Sequence, residues 1–289
     1  FELPSFYASQ PAEWFAFGAV SVLESSGIVD SICFGTEDHS LEQLLQLADL
    51  LYRESEPFKQ HLREQLKKGV NYPAAYSQAI TLLTKHQTEN QLDLSKPNNI
   101  LGLHYLIALK RLHSSIKPFT IKRTKAGYHQ QDITDHRIAS ATAIRNQIML
   151  TNDIRAVADY VPASTLHILE EEMEAGRAPV NWELFIQQLY HQLLIQSKEE
   201  LGQILGMNEG LENRLKQSVF RHAGDPLSFE QLLDLLKTKR YTAAKLQRTL
   251  LNVLLNFKKD EHGRNRMQQG TPYLRVLGFS HKGRELLKT

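Results

Sequence analysis

The sequence predicts a mixed α/β half followed by an all-α half. Three observations predict it. A helical pattern at residues 11–25 leads through Gly27 into the strand-like run Val29-Asp30-Ser31-Ile32-Cys33-Phe34, closed by Gly35. A second strand-like run, Pro118-Phe119-Thr120-Ile121-Lys122-Arg123, ends in two cations after a stretch of helical spacing. From Thr151 onward the apolar spacing is helical almost to the end. Helices alternating with short strands are the pattern of a parallel α/β sheet.

Taken in order, Phe1-Glu2-Leu3-Pro4 reads as the tail of a strand entering a loop, so the chain is expected to lack its beginning. In the first helix Phe15, Ala19, Val22 and Leu23 share a face, and Pro11 is tolerated in its first turn. Gly35-Thr36-Glu37 follows the carboxyl end of the first strand, where ligands of open α/β sheets bind. Gly35 has no side chain and lets a nucleotide approach the backbone, although a plain turn glycine explains it as well. Residues 40–55 form an amphipathic helix with the stripe Leu41, Leu44, Leu45, Ala48 and Leu51. Two more helices are expected at 58–68 and 73–85.

Within Lys96-Pro97-Asn98-Asn99-Ile100-Leu101-Gly102, Asn98 or Asn99 is placed to cap the helix running through Leu103, Leu106, Ile107 and Lys110. An Asn held at a helix start also suits a ribose hydroxyl or a base edge. Arg123, at the end of the second strand, is placed to neutralise a phosphate. Residues 124–137 read as a long polar loop, a kind of segment that is often functional. Next comes Ile138-Ala139-Ser140-Ala141-Thr142-Ala143-Ile144-Arg145, which opens a helix toward Leu150. A helix start leaves backbone N–H groups without partners inside the helix and carries partial positive charge. Ser140, Thr142 and Arg145 are placed to grip a phosphate there. An ordinary N-cap accounts for the same residues.

The second half reads as helices at 153–160, 164–174, 182–196, 198–205, 208–221, 229–236 and 241–257. Trp182, Phe185, Leu189 and Leu193 form a stripe expected in the core. Between Lys237 and Arg266, nine cations (Lys237, Lys239, Arg240, Lys245, Arg248, Lys258, Lys259, Arg264 and Arg266) meet only two anions, Asp260 and Glu261. On the helix at 241–257, Leu246, Leu250, Val253, Leu254 and Phe257 share one side. Tyr241, Lys245 and Arg248 share the other, where cations beside an aromatic suit an RNA backbone and an unstacked base. A basic solvated face is the plainer alternative. Residues 272–279 have strand character, and 281–287 a last short helix.

Composition narrows the class. The 289 residues suffice for two domains, and 42% hydrophobic with 23% charged residues is ordinary for a globular protein. A net charge of +2 excludes a polycation, so any nucleic-acid surface must come from local clustering. The single cysteine, Cys33, rules out an intramolecular disulfide and fits a reducing compartment. No apolar run reaches the roughly 18 residues of a membrane span, and no signal peptide is present, so a cytoplasmic protein is expected. Metal-ligand spacings, a Walker A loop, a dinucleotide-type glycine fingerprint and a hydrolase triad are all missing. No stable protein partner is evident.

Several of these segments together resemble a known family. They are Ala12-Glu13-Trp14-Phe15-Ala16 through Cys33-Phe34-Gly35-Thr36-Glu37, then Lys96 to Gly102, Ile138 to Arg145, Leu236-Lys237-Thr238-Lys239-Arg240-Tyr241-Thr242, and Tyr273-Leu274-Arg275-Val276-Leu277-Gly278. In this order they resemble the bacterial tRNA(Met) cytidine acetate ligase family over nearly the whole chain. The part Ser140 to Arg145 resembles the second signature of the wider nucleotidylyltransferase superfamily. The resemblance implies a Rossmann-like ATP-binding domain at 1–150, N-terminally incomplete, and a mostly helical tRNA-binding domain at 151–289. It implies an enzyme that activates acetate with ATP as acetyl-adenylate and acetylates the wobble cytidine N4 of elongator methionine tRNA. Gly35, Asn98 and Arg123 are then expected to touch ATP, with Ser140, Thr142 and Arg145 at the phosphates. Lys237, Lys239, Arg240, Tyr241, Lys245 and Arg248 would hold the tRNA. Mg²⁺ is expected with ATP, but no carboxylate stands out as its ligand. The family's His-x-Gly-His segment has no match here, so the catalytic histidines are not assignable. A molecule beginning at Phe1 is expected to be inactive and to bind ATP poorly. Two alternatives remain at this point: a nucleotidylyltransferase acting on a small molecule, and a noncatalytic RNA-binding helical protein.

Overall fold

Two parallel strands separated in sequence by a run of helices frame the first part of the chain. The computed structural model describes residues 1–38, 40–84, 92–123, 138–222, 224–225, 227–238 and 241–288. A short helix α1 (Ser5–Ala8) and the longer α2 (Ala12–Ser26) precede β1 (Ser31–Thr36). Phe1 to Pro4 carry no strand, contrary to expectation, and lead directly into α1. Helices α3 (Leu41–Leu51), α4 (Glu56–Lys67), α5 (Tyr72–Thr84) and α6 (Pro97–Arg111) then lead to β2 (Lys117–Lys122). The strands pair in parallel from Ser31 opposite Lys117 to Thr36 opposite Lys122. Their carboxyl ends therefore lie side by side.

Packing against α6 fixes where those ends point. Phe34 and Thr36 are buried on one face of β1. A Cβ at Gly102 would come 2.8 Å from the Phe34 ring and 3.2 Å from the Thr36 methyl. Only a residue without a side chain allows α6 to lie this close to the strand. Leu103, Leu106 and Ile107 of α6 join Phe17 and Val20 of α2 and Leu44, Ala48 and Leu51 of α3 in one core.

The remaining helices are α7 (Ala141–Thr151), α8 (Ala163–Glu174), α9 (Ile186–Ile195), α10 (Lys198–Gly202), α11 (Leu211–Arg221), α12 (Phe229–Leu236), α13 (Ala243–Leu254), α14 (Lys259–His262), α15 (Arg264–Met267) and α16 (His281–Leu286). Residues Ile154–Tyr160 and Trp182–Phe185 form 3₁₀ turns where α-helix was expected. The expected stripe at Trp182 is half correct. Leu189 and Leu193 are fully buried, but Phe185 is exposed because the 3₁₀ turn ends there and the helical phase starts only at Ile186. The segment 272–279 forms no strand. Among the described residues its one backbone tie is from the Glu2 N–H to the Arg275 carbonyl (2.9 Å), and a single bond does not make a ladder.

By packing, the chain divides into Phe1–Lys122 with Ile186–Thr289 as one unit, and Arg123–Phe185 as another. This division differs from the expected one at residue 150, which lies within the second unit. The late helices contribute to the early core. Met267 is buried in it, and the Tyr7 hydroxyl donates to the Met267 carbonyl at 2.7 Å. Gly270 adopts φ +81°, and a Cβ there would meet the Ser21 Oγ. That conformation lets the Thr271 N–H donate to Ser21 Oγ at 2.8 Å. The second unit has its own small core of Ile148, Ile154 and Val157, with Ile144, Leu166 and Leu169 against it.

Candidate functional site

The carboxyl end of β1 and the start of α6 are joined by hydrogen bonds between residues about sixty positions apart. The Glu37 carboxylate does the joining. Its Oε1 accepts from the Asn98 N–H (3.2 Å) and the Asn98 Nδ2 (2.7 Å), and its Oε2 accepts from the Asn99 N–H (2.9 Å). The expected cap by Asn98 or Asn99 is corrected. Lys96 occupies the N-cap without a side-chain capping bond, Pro97 opens the helix, and Glu37 satisfies the next two N–H groups from outside. A carboxylate at this end also meets the positive end of the helix dipole.

Asn99 ties the loop in turn. It is fully buried. Its Oδ1 accepts from the Glu37 N–H (3.0 Å) and, more weakly, the Asp38 N–H (3.4 Å). Its Nδ2 donates to Asp38 Oδ2 (2.6 Å) and the Asp93 carbonyl (2.9 Å). Lys96 Nζ meets Asp38 Oδ1 at 2.7 Å. Burial pushes the Asp38 carboxyl up, but the bonds from Lys96, Asn99 and the Asp93 N–H outweigh it and hold it below its ordinary value. Replacing Asn99 with Ala removes this buried carboxamide and its four bonds and is expected to cost about 3 kcal/mol in urea unfolding. A change under about 0.5 kcal/mol would show that the network contributes little.

The expected ATP contacts fall as follows. Gly35 is the fifth residue of β1, opposite Ile121, and Asn98 stands at the same strand end through Glu37. Arg123 directly follows β2 and is exposed. In the second unit Ser140 is the N-cap of α7, with its Oγ accepting from the Ala143 N–H at 3.0 Å. That leaves the Ala141 and Thr142 N–H groups without an intrahelical acceptor. Arg145 is exposed one turn further on. The loop at 124–137 lies outside the described residues.

The expected basic face is partly rearranged. Leu246, Leu250 and Val253 are buried on the core side of α13 as expected. Tyr241 does not stand opposite them. It precedes the helix, is buried, and its hydroxyl donates to the carbonyls of Asn208 (2.9 Å) and Glu209 (3.3 Å). The Thr242 cap starts the helix after Tyr241, which removes that residue from the helical face. Lys245 Nζ sits 4.5 Å above the Tyr241 ring, a cation–π contact. Burial pulls the Lys245 ammonium down, Glu209 opposes this, and Arg248 adds to it. Burial likewise lowers Arg248. Lys237 pairs with Asp234 at 2.7 Å. Lys239 and Arg240 lie outside the described residues.

The sequence points to Gly35 and to the pair Asn98-Asn99, but not to the link between that pair and the Glu37 carboxylate. Their pairing crosses from one helix start to a distant strand end, and no local pattern announces it.

A parallel pair of strands with a polar cluster at its carboxyl end, covered by helices, fits a nucleotidyltransferase-like protein. The family model described as HIGH Nucleotidyl Transferase matches residues 1–289. The tRNA(Met) cytidine acetate ligase of Bacillus cytotoxicus is 37% identical over 288 residues, 99% of this chain and 71% of its own length. That of Caldanaerobacter subterraneus is 39% identical over 287 residues, covering 99% and 69%. The chain belongs to the tRNA(Met) cytidine acetate ligase family. A crystal structure of Thermotoga maritima TmcAL bound with alpha-thio ATP superposes with a TM-score of 0.88 at 32% identity, covering 99% of this chain and 66% of that one. Its apo form gives 0.90 at 33%, covering 99% and 67%.

Proposed function

We propose that the protein activates acetate with ATP and transfers the acetyl group to the wobble cytidine N4 of elongator methionine tRNA. The observation that carries this reading is the match along 99% of the chain to relatives named for that reaction. In the first step an acetate oxygen attacks the α-phosphorus and pyrophosphate leaves. In the second the cytosine amine attacks the acetyl carbonyl, loses a proton, and AMP leaves. The amine must be unstacked to be reached, as in other base-modifying enzymes. In the first unit Gly35 and Asn98 contact the nucleotide at the carboxyl end of β1. Arg123, which by packing belongs to the second unit, is a phosphate-neutralising residue by itself. In the second unit the α7 start, with Thr142 and Arg145 beside the Ser140 cap, is a phosphate-binding element of its own. Lys237, Lys245 and Arg248 hold the tRNA backbone, joined by Lys239, Arg240 and the edge of Tyr241.

Mg²⁺ accompanies ATP in this reading, held by the phosphates. Among the described residues no group of three or more His, Cys, Asp and Glu is arranged to hold a metal. No described helix is long and apolar enough to cross a membrane, and we place the reaction in the cytoplasm, where tRNA resides.

The complete protein, given ATP, labelled acetate and elongator methionine tRNA, is expected to deposit label on one cytidine. Adenylate formation without labelled tRNA would favour a small-molecule nucleotidylyltransferase. Absence of both would overturn the proposal.

A further inference from the structure

We infer that Glu37 is a positioning residue that turns the Asn98 carboxamide so that its oxygen faces the nucleotide, where it reads a ribose hydroxyl. The inference rests on the nucleotide site proposed above and deepens it.

The argument follows from what a carboxylate can do. Ionised Glu37 only accepts hydrogen bonds. It already takes two backbone N–H groups, and its 2.7 Å bond to Asn98 must come from the amide nitrogen. The Asn98 Nδ2 is thereby committed inward, and Oδ1 is left directed away from Glu37. Among the described residues no donor bonds to that oxygen. Asn98 therefore offers a ligand the free acceptor Oδ1, beside the one Nδ2 hydrogen that Glu37 does not take, and a ligand group that meets Oδ1 must be a donor.

A nucleoside has two kinds of donor to offer, the sugar hydroxyls and the exocyclic amine of the base. The surroundings favour the sugar. Asn98 is bordered by Glu37, and the adjoining loop carries Asp38, Asp93 and Lys96, all polar. A purine face needs apolar or aromatic walls, whereas a hydroxyl is at home among carboxylates and amides. A site built to bond a hydroxyl also rejects the analogue that lacks it, because its own polar group is left unpaired.

Glu37→Gln tests the positioning. A Gln side chain presents one oxygen and one NH₂ where three donors now converge. The Asn98 amide is then free to turn its oxygen inward to the Gln NH₂. Binding of ATP, 2′-deoxy-ATP, 3′-deoxy-ATP and the triphosphate of purine riboside would be measured by calorimetry on the complete protein and on Glu37→Gln. We expect the unaltered protein to prefer ATP over one of the two deoxy analogues by about tenfold. Purine riboside triphosphate should bind like ATP. In Glu37→Gln the preference should shrink to about threefold or less. Asn98→Ala keeps the Glu37 bond to the Asn99 N–H, so α6 remains anchored. It should lose the same preference, which covers the case in which Glu37→Gln does not fold.

Equal binding of ATP and both deoxy forms would overturn the inference while leaving the nucleotide site standing. Weak binding of purine riboside triphosphate alone would assign the oxygen to the base and also overturn it. A preference that survives in Glu37→Gln would remove Glu37 from its role. No binding of ATP by the complete protein would overturn the nucleotide site itself, and the inference with it.

Discussion

Reversing Lys245 and Arg248 together to Glu is expected to lower affinity for methionine tRNA by about a hundredfold while leaving ATP binding unchanged. Both cations are half-buried on α13, and burial lowers both from their ordinary values. Among the described residues neither has a carboxylate within ion-pair distance. A cation kept partly out of water without an anionic partner is worth most to an incoming anion. For every phosphate that is no longer neutralised, the salt dependence of binding should flatten by about one unit of slope. Gln at both positions, which removes charge without reversing it, should cost about tenfold. Filter binding across a salt series checks both values, and circular dichroism checks that α13 remains. Unchanged tRNA affinity in the reversed variant would remove this face from the RNA-binding surface.

Acid should destabilise the protein through His104. This residue lies in α6 within the core, beside the Tyr76 ring at 5.6 Å, and among the described residues its Nδ1 has no hydrogen-bond partner. Burial is the main cause that pushes its pKa down to about 4, with Glu13 opposing and Arg111 assisting. In the unfolded chain the imidazole takes up its proton near pH 6.5. In the folded core it resists until about 4. Over that interval the unfolded state binds more protons, so the contribution is complete above 6.5 and is lost as pH falls toward 4. A shift of this size corresponds to roughly 3 kcal/mol. Urea unfolding at about pH 7 and about pH 4.5 on the unaltered protein and on His104→Leu measures it. The variant should lose less stability between the two pH values by about that amount. Parallel pH profiles would show that His104 does not carry the effect.

Much of the fold was legible where periodicity is strong. The α2 and α3 helices, both strands, the Ser140 cap and the apolar side of α13 all follow from residue spacing. The failures have specific physical causes. A 3₁₀ turn at Trp182–Phe185 breaks the helical phase and turns Phe185 out to solvent. The segment 272–279 has strand composition, but composition does not supply a neighbour to pair with. Tyr241 has the look of the free aromatic of a basic face, yet two carbonyls from before α11 claim its hydroxyl. The site shows the same division. Gly35 and Asn98 stand out by residue type and by resemblance to the family. Glu37 acts through Asn98 and Asn99 across the fold, and Asn99 also bonds Asp38 and Asp93, so local spacing does not reveal these partnerships.

The bond from Tyr7 to Met267 also bears on how the molecule is made. Nearly all of the core that holds β1 and α6 is encoded in the first 122 residues, but Met267 closes it from far downstream. At a synthesis rate of roughly 5–20 residues per second, on the order of ten seconds pass between the two. During that interval the growing polypeptide lacks both the Met267 side chain in this core and the carbonyl that the Tyr7 hydroxyl bonds. Completion of this core therefore waits on α15 leaving the ribosome, and termination before it would yield a product whose core lacks Met267.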